Sequence, residues 1–211
     1  MNQTQPQRGE YFLLQPDTTG GGRGHGVVFE NVKRLRTPPR MILRPSIGGF
    51  PALSEVPRLV YSPDAGDPPQ DLEGGISGYW MVSERLQRVL SQIDPAGFAF
   101  VEADYRLSDG TKGPRYYLCD VIRELDAVDE LVSKLTIEES DEYPAGKFYD
   151  LTGGSSLAFR KDAVGEAHVF RTPYSGRLVF CDRRLRDAVV GAGMGETGDS
   201  SGVWFTDAAD I

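Results

Sequence analysis

Two hydrophobic periods run along the chain, and the change from one to the other separates helices from strands. In SERLQRVLSQI, residues 83–93, the apolar positions Val82, Leu86, Val89, Leu90 and Ile93 recur at spacings of three and four, which places them on one helix face. Ser83 is a suitable N-cap, and Asp94-Pro95 ends the helix because proline disfavours helical geometry in the residue before it. RRLRDAVVGAG repeats the pattern: Asp182 caps it, Leu185, Ala188, Val189 and Ala192 form the stripe, and Gly193 terminates it. Short apolar or alternating runs bounded by Gly, Pro and Asp predict strands. They are YFLLQ (11–15), MILRPS (41–46), RLVYS (58–62), FAFVEA (98–103), PRYYLCDVI, KFYDL (147–151), SLAFRKD (156–162), AHVFRT (167–172), RLVFCD ending at Asp182, and GVWFTDA. Asp109-Gly110 tips a hairpin connection between FAFVEA and PRYYLCDVI. The four runs from KFYDL to RLVFCD are expected to pair into one meander. Together these elements predict an α+β fold, mainly antiparallel sheet with two principal helices, about 83–93 and 183–192, packed on it.

An internal echo accompanies this pattern. VSERLQRVLSQIDPAGFAFVEA and FCDRRLRDAVVGAGMGETGDSSGVWFTDA both read as a strand end, a capped amphipathic helix, glycine and an aromatic strand. Each helix is expected to pack on the strand that follows it, with Phe98, Phe100, Trp204 and Phe205 as anchors. Residues 1–10 read as a disordered tail, 11–76 as a loop-rich β region packed on the core, and 77–211 as the α+β core, all within one compact domain.

Composition narrows the classes. With 211 residues, 39% apolar and 26% charged, the chain is long enough for a continuous core and ordinary enough to exclude wholesale disorder and fibrous architectures. Its 25 glycines and 14 prolines cluster between the apolar runs and imply long loops. No run approaches the roughly 20 apolar residues that span a bilayer, and Met1 to Glu10 lacks a hydrophobic signal region, so a cytoplasmic protein is expected.

Charge is more specific than composition. The net −8 resides almost entirely in residues 120–142, DVIRELDAVDELVSKLTIEESDE, where nine acidic and two basic side chains leave −7. Such a segment repels nucleic-acid phosphates and anionic lipid, so neither nucleic acid nor membrane is an expected partner. Glu138, Glu139, Asp141 and Glu142 read either as a solvated loop that aids solubility or as a docking face for a basic partner. Tyr143 and Tyr149 flank the segment, and tyrosine beside carboxylates is the composition of a protein-binding hot spot.

No catalytic, cofactor or metal motif accompanies these features. His25 lies in a glycine loop and His168 in a strand, neither at metal-ligand spacing. The glycines at 20, 21, 22, 24 and 26 form neither GxxxxGK[ST] nor GxGxxG opening a helix, and GGSSL at 153–157 is not a nucleophile elbow. Cys119 and Cys181 sit in apolar strands and read as buried thiols; pairing them would require Cα atoms within about 7 Å. No residue is assigned to catalysis and no cofactor is expected.

The combination GYWMVSERLQRVL, GFAFVEA, YYLCDVIRELDAVD, HVFRTPYSGRLVFCDRRLRDAVVGAG and GVWFTD resembles immunity-protein family eleven of bacterial polymorphic toxin systems, over about residues 77–208. The resemblance implies a cytoplasmic antidote that blocks a cognate toxin by tight binding and performs no catalysis. Asp120, Asp126 and Asp129 match the family's most recognisable polar positions, as functional acids or as caps and turns at the end of the YYLCDV strand. Partner-binding candidates are therefore Glu138, Glu139, Asp141, Glu142, Tyr143, Tyr149, Asp120, Asp126 and Asp129, with a toxin or effector of basic surface as the partner. The alternatives are a small-molecule or peptide-binding module, or an enzyme without a recognisable motif.

Overall fold

The computed structural model describes residues 5–18, 24–36, 43–196 and 200–211. In chain order the elements begin with β1 (Tyr11–Pro16), β2 (Val27–Phe29), α1 (Val32–Leu35), β3 (Arg58–Tyr61), β4 (Leu72–Ile76) and β5 (Tyr79–Ser83). There follow α2 (Glu84–Ile93), β6 (Phe98–Arg106), β7 (Tyr116–Val121), β8 (Thr136–Glu139), β9 (Lys147–Asp150) and α3 (Lys161–Val164). The chain ends with β10 (Val169–Arg171), β11 (Val179–Asp182), α4 (Arg183–Gly191) and β12 (Val203–Asp207). Both principal helices start where the sequence places them: Ser83 Oγ accepts from Leu86 N at 3.2 Å, and Asp182 Oδ1 accepts from Leu185 N at 3.0 Å.

The strands form a six-stranded sheet in the order β2-β3-β6-β7-β5-β4, a four-stranded sheet in the order β10-β11-β1-β12, and the separate β8-β9 hairpin. All neighbours pair antiparallel except β3 and β6, so the fold is α+β and mainly antiparallel. The echo in the sequence is a duplicated topology. β5-α2-β6 is a split unit whose two strands run parallel with β7 between them, and β11-α4-β12 repeats it with β1 between. The middle strand comes from later in the chain in one unit and from the N-terminus in the other. Each helix cap is braced alike: Ser83 Oγ donates to Asp71, which precedes β4, at 2.5 Å, and Asp182 Oδ2 pairs with Nδ1 of His168, which precedes β10, at 2.8 Å.

The two units meet through their helices. Leu86 and Leu90 of α2 and Leu185 and Val189 of α4 share one core with Leu14, Leu72, Val82, Phe98, Cys119, Cys181 and Val203. The opposite face of the six-stranded sheet carries Leu59, Tyr79, Met81 and Leu118 and is covered by residues including Leu35 and Leu43. The opposite face of the four-stranded sheet carries Leu13, Phe170 and Phe180 and is covered by the excursion that holds Ala127, Val128, Tyr149 and Phe159. Alternation along each strand, with period two, is what supplies both faces.

Four local expectations are corrected. SLAFRKD is not a strand: Leu157 N bonds Ala208 O at 2.7 Å, Arg160 N bonds Ala127 O at 2.7 Å, and α3 starts at Lys161. Its amides go to separate partners, so no ladder forms and there is no four-run meander; KFYDL pairs with the acidic segment, and only β10 and β11 pair as expected. Leu43–Ser46 bends around Pro45, which has no N–H for a ladder, while Met41, Ile42 and Gly20–Gly22 lie outside the described residues. Trp204 is no anchor, because alternation turns Val203 and Phe205 inward and leaves its Nε1 to donate to Thr206 Oγ1 at 3.2 Å.

Candidate functional site

The acidic segment leaves β7 and crosses the back of the four-stranded sheet before it turns outward. Leu125 N bonds Arg171 O at 2.8 Å, Arg171 N bonds Arg123 O at 2.9 Å, and Asp129 N bonds Ala158 O at 2.9 Å, while Ala127 and Val128 are buried. Asp129 then shapes a turn, accepting from Leu131 N at 3.1 Å through its side chain and from Ser133 N at 2.8 Å through its carbonyl. That turn presents Leu131 with 99% of its surface exposed.

Beyond it, Glu138 and Glu139 stand on β8 instead of in a loop, and all four residues of that strand are exposed. The register pairs Ile137 with Tyr149 and Glu139 with Lys147 on one face, and Glu138 with Phe148 on the other. The connecting turn is held by Tyr143 N to Ser140 O at 3.1 Å, Gly146 N to Tyr143 O at 2.9 Å and Ser140 N to Gly146 O at 3.1 Å. Tyr143 folds back over the outer face, its ring stacked on Phe148 with centroids 5.7 Å apart and its hydroxyl donating to Glu138 Oε2 at 2.5 Å. That hydrogen bond raises the Tyr143 pKa above the usual tyrosine value. Asp141 and Glu142 are exposed in the turn.

The inner face anchors the hairpin. Tyr149 is buried, and its hydroxyl donates at 2.5 Å to Glu130 Oε1, which also accepts from Lys147 Nζ. Lys147 lies 4.1 Å from the Tyr174 ring centroid, and Tyr174 donates to Asp126 Oδ2 at 3.2 Å. The hydrogen bond from Lys147, then that from Tyr149, lowers the Glu130 pKa. Burial opposes charge on Lys147, but the bond to Glu130 outweighs it and its pKa is raised. Burial first, and the Glu130 bond second, pushes Tyr149 far above the ordinary tyrosine range. Tyr149→Phe is expected to cost about 1 kcal/mol, since it removes one hydrogen bond to a carboxylate that keeps Lys147 and solvent. Urea unfolding followed by circular dichroism checks this, with a lower midpoint and an unchanged slope.

The structure therefore brings Glu138, Glu139, Asp141, Glu142 and Tyr143 together on one hairpin, with Tyr149 and Asp126 beneath it and Asp129 in the adjoining turn. Asp120 is elsewhere. It lies on β7, only 7% exposed, accepting from Arg44 Nε at 2.8 Å and from Gly49 N at 2.5 Å. Phe148, Lys147, Tyr174, Glu130 and Leu131 were not singled out by sequence. The available signal was Leu131, an apolar residue amid acids with no amphipathic stripe to join.

Among the described residues no group of three or more His, Cys, Asp or Glu could hold a metal ion. His168 is committed to the α4 cap. Cys119 and Cys181 are free and buried, and burial pushes both thiols well above their ordinary pKa, so both are protonated at neutral pH. No described helix is long and apolar enough to cross a membrane.

No curated protein matches the chain. The family model described as Immunity protein family (Imm11) matches residues 10–210. The match reaches back beyond residues 77–208 to take in β1, the middle strand of the second split unit. This chain belongs to the Imm11 immunity protein family.

Proposed function

We propose that this protein neutralises a cognate toxin by stoichiometric, non-catalytic binding, and that the outer face of the β8-β9 hairpin, with the Leu131 turn, is its contact surface. One observation carries the assignment of the surface: exposed carboxylates surround an aromatic pair, Tyr143 on Phe148, on an element braced from below by Glu130, Lys147 and Tyr149. A rigid aromatic centre with a charged rim is the anatomy of a binding hot spot, and preorganisation lowers the entropy lost on docking. The sign of the rim selects a basic partner surface.

Co-expression with the toxin encoded in the adjacent reading frame tests the proposal. The expected result is restored growth and a 1:1 complex on size exclusion. Growth arrest with no complex contradicts it.

A further inference from the structure

Where Asp120 departs from the acidic surface it joins a second cluster, and positive charge predominates there. Arg44, Asp120 and Arg171 line a cavity of about 50 Å³ together with Trp80, Cys119, Val179 and Arg177. The groups converge beneath Gly48, whose φ of +84° lets the backbone pass directly over them. A Cβ at that position would lie 3.0 Å from Arg171 Nη2, 3.2 Å from Arg44 Nη2 and 3.3 Å from Asp120 Oδ2. Asp120 pairs with Arg44, but Arg44 Nη2 and Arg171 Nε are buried donors with no hydrogen-bond partner among the described residues. Arg171 is only 6% exposed, and burial, then repulsion from Arg44, lowers its pKa. Three guanidiniums face one buried carboxylate, Asp120, and the exposed Glu124 offsets part of the charge on Arg171, so the cavity wall keeps unpaired donors and one positive charge in excess.

We infer that this cavity is a binding site for a small carboxylate of acetate size, held by Arg171 and Arg44 with Arg177 at its rim. The fit is one of charge, donors and volume. A water needs roughly 10–15 Å³ of such space, so the cavity has room for a group of three or four heavy atoms. A planar guanidinium presents paired donors that match a carboxylate. The inference is independent of toxin binding, because this cluster and the hairpin are separate sites.

Acetate titration of the whole protein at constant ionic strength, with chloride as the balancing anion, tests it. Two readouts apply: the melting temperature, and the 15N-correlated Nε–H resonance of Arg171, assigned by its loss in Arg171→Met. The expected result is a rise of roughly 3–6 °C at ten times Kd that continues with the logarithm of acetate concentration, and a saturable downfield shift of that resonance. Arg177 is exposed, so Arg177→Gln should fold normally and weaken apparent acetate affinity by about 3–10-fold. In Arg171→Met the acetate-dependent rise in melting temperature should vanish. A wild-type protein that responds to acetate no more than to chloride overturns the inference, and so does an Arg177→Gln variant that binds acetate as tightly as wild type. Inorganic phosphate is the size control, with a weaker response than acetate expected; tighter phosphate binding overturns the carboxylate assignment.

Discussion

Asp94→Ala is expected to destabilise the fold by about 3–5 kcal/mol, the cost of breaking a buried ion pair from one side. Asp94 closes α2, is only 5% exposed, and gathers donors from two other parts of the chain. Its carboxylate accepts from His168 N at 2.9 Å, Val169 N at 3.2 Å, Arg123 Nη2 at 3.0 Å and also Arg123 Nη1. It thereby ties the end of the first unit's helix to β10 at the edge of the second unit's sheet. The approach is close enough that a Cβ at Gly97 would meet Val169 Cγ1 at 2.4 Å, so the elements leave no room for repair by movement. Alanine strands two amides and a guanidinium at once. Asp94→Asn keeps the shape but turns an NH2 toward donors, and a loss nearly as large is expected. Denaturant unfolding at neutral pH checks both through the midpoint.

The same residue sets an acid dependence. Burial pushes the Asp94 pKa up, but the bonds from Arg123 and the His168 amide outweigh it, and the folded value lies below the ordinary one. A depressed carboxylate contributes fully above its unfolded pKa of about 3.9, and that contribution is lost as pH falls through the folded value. Stability lost by wild type on acidification below about pH 4 should therefore be smaller in Asp94→Asn. Equal acid sensitivity of the two proteins would assign the loss to other carboxylates.

Reversal of Glu138, Glu139, Asp141 and Glu142 to lysine is expected to slow toxin association by about 10–100-fold at low salt and to flatten or invert its salt dependence. These side chains are exposed and the hairpin is held by backbone pairing and by the inner-face anchor, so the variant should fold, with a small drop in melting temperature because Glu139→Lys faces Lys147 and Glu138→Lys loses the Tyr143 hydroxyl. Phe148→Ala should act on the other rate. Removal of the aromatic platform on which Tyr143 stacks is expected to speed dissociation by about 30-fold, or roughly 2 kcal/mol. Stopped-flow association and a chase of the preformed complex separate the two effects. Unchanged rates in both variants would remove the hairpin from the interface.

The helices, their caps and the duplicated unit were legible because period, cap and terminator agree in local sequence. Leu86 and Leu90, or Leu185 and Val189, announce a buried face without naming what covers it. The pairing partners were not legible. β1 sits between β11 and β12, more than 160 residues away in sequence, and strand propensity carries no address. SLAFRKD shows the same limit from the other side: Leu157 and Phe159 are buried as the pattern suggests, yet their backbone bonds are scattered, and apolar alternation alone cannot tell a ladder from an irregular buried segment. The acidity of residues 120–142 was evident, but its division was not. Register places Glu138 on the outer face, hydrogen bonds from Tyr149 and Lys147 tie Glu130 to the inner face, and β7 carries Asp120 into an arginine cluster. Those three acids share a segment and have three different surroundings.

Stoichiometry is the most direct test of an antidote that acts by occlusion. Purified toxin at fixed concentration, well above the complex Kd, should be titrated with this protein while toxin activity is measured. Activity is expected to fall linearly and to reach zero at one molar equivalent. Abolition of activity far below equimolar ratio, as an enzyme would produce, would contradict the account.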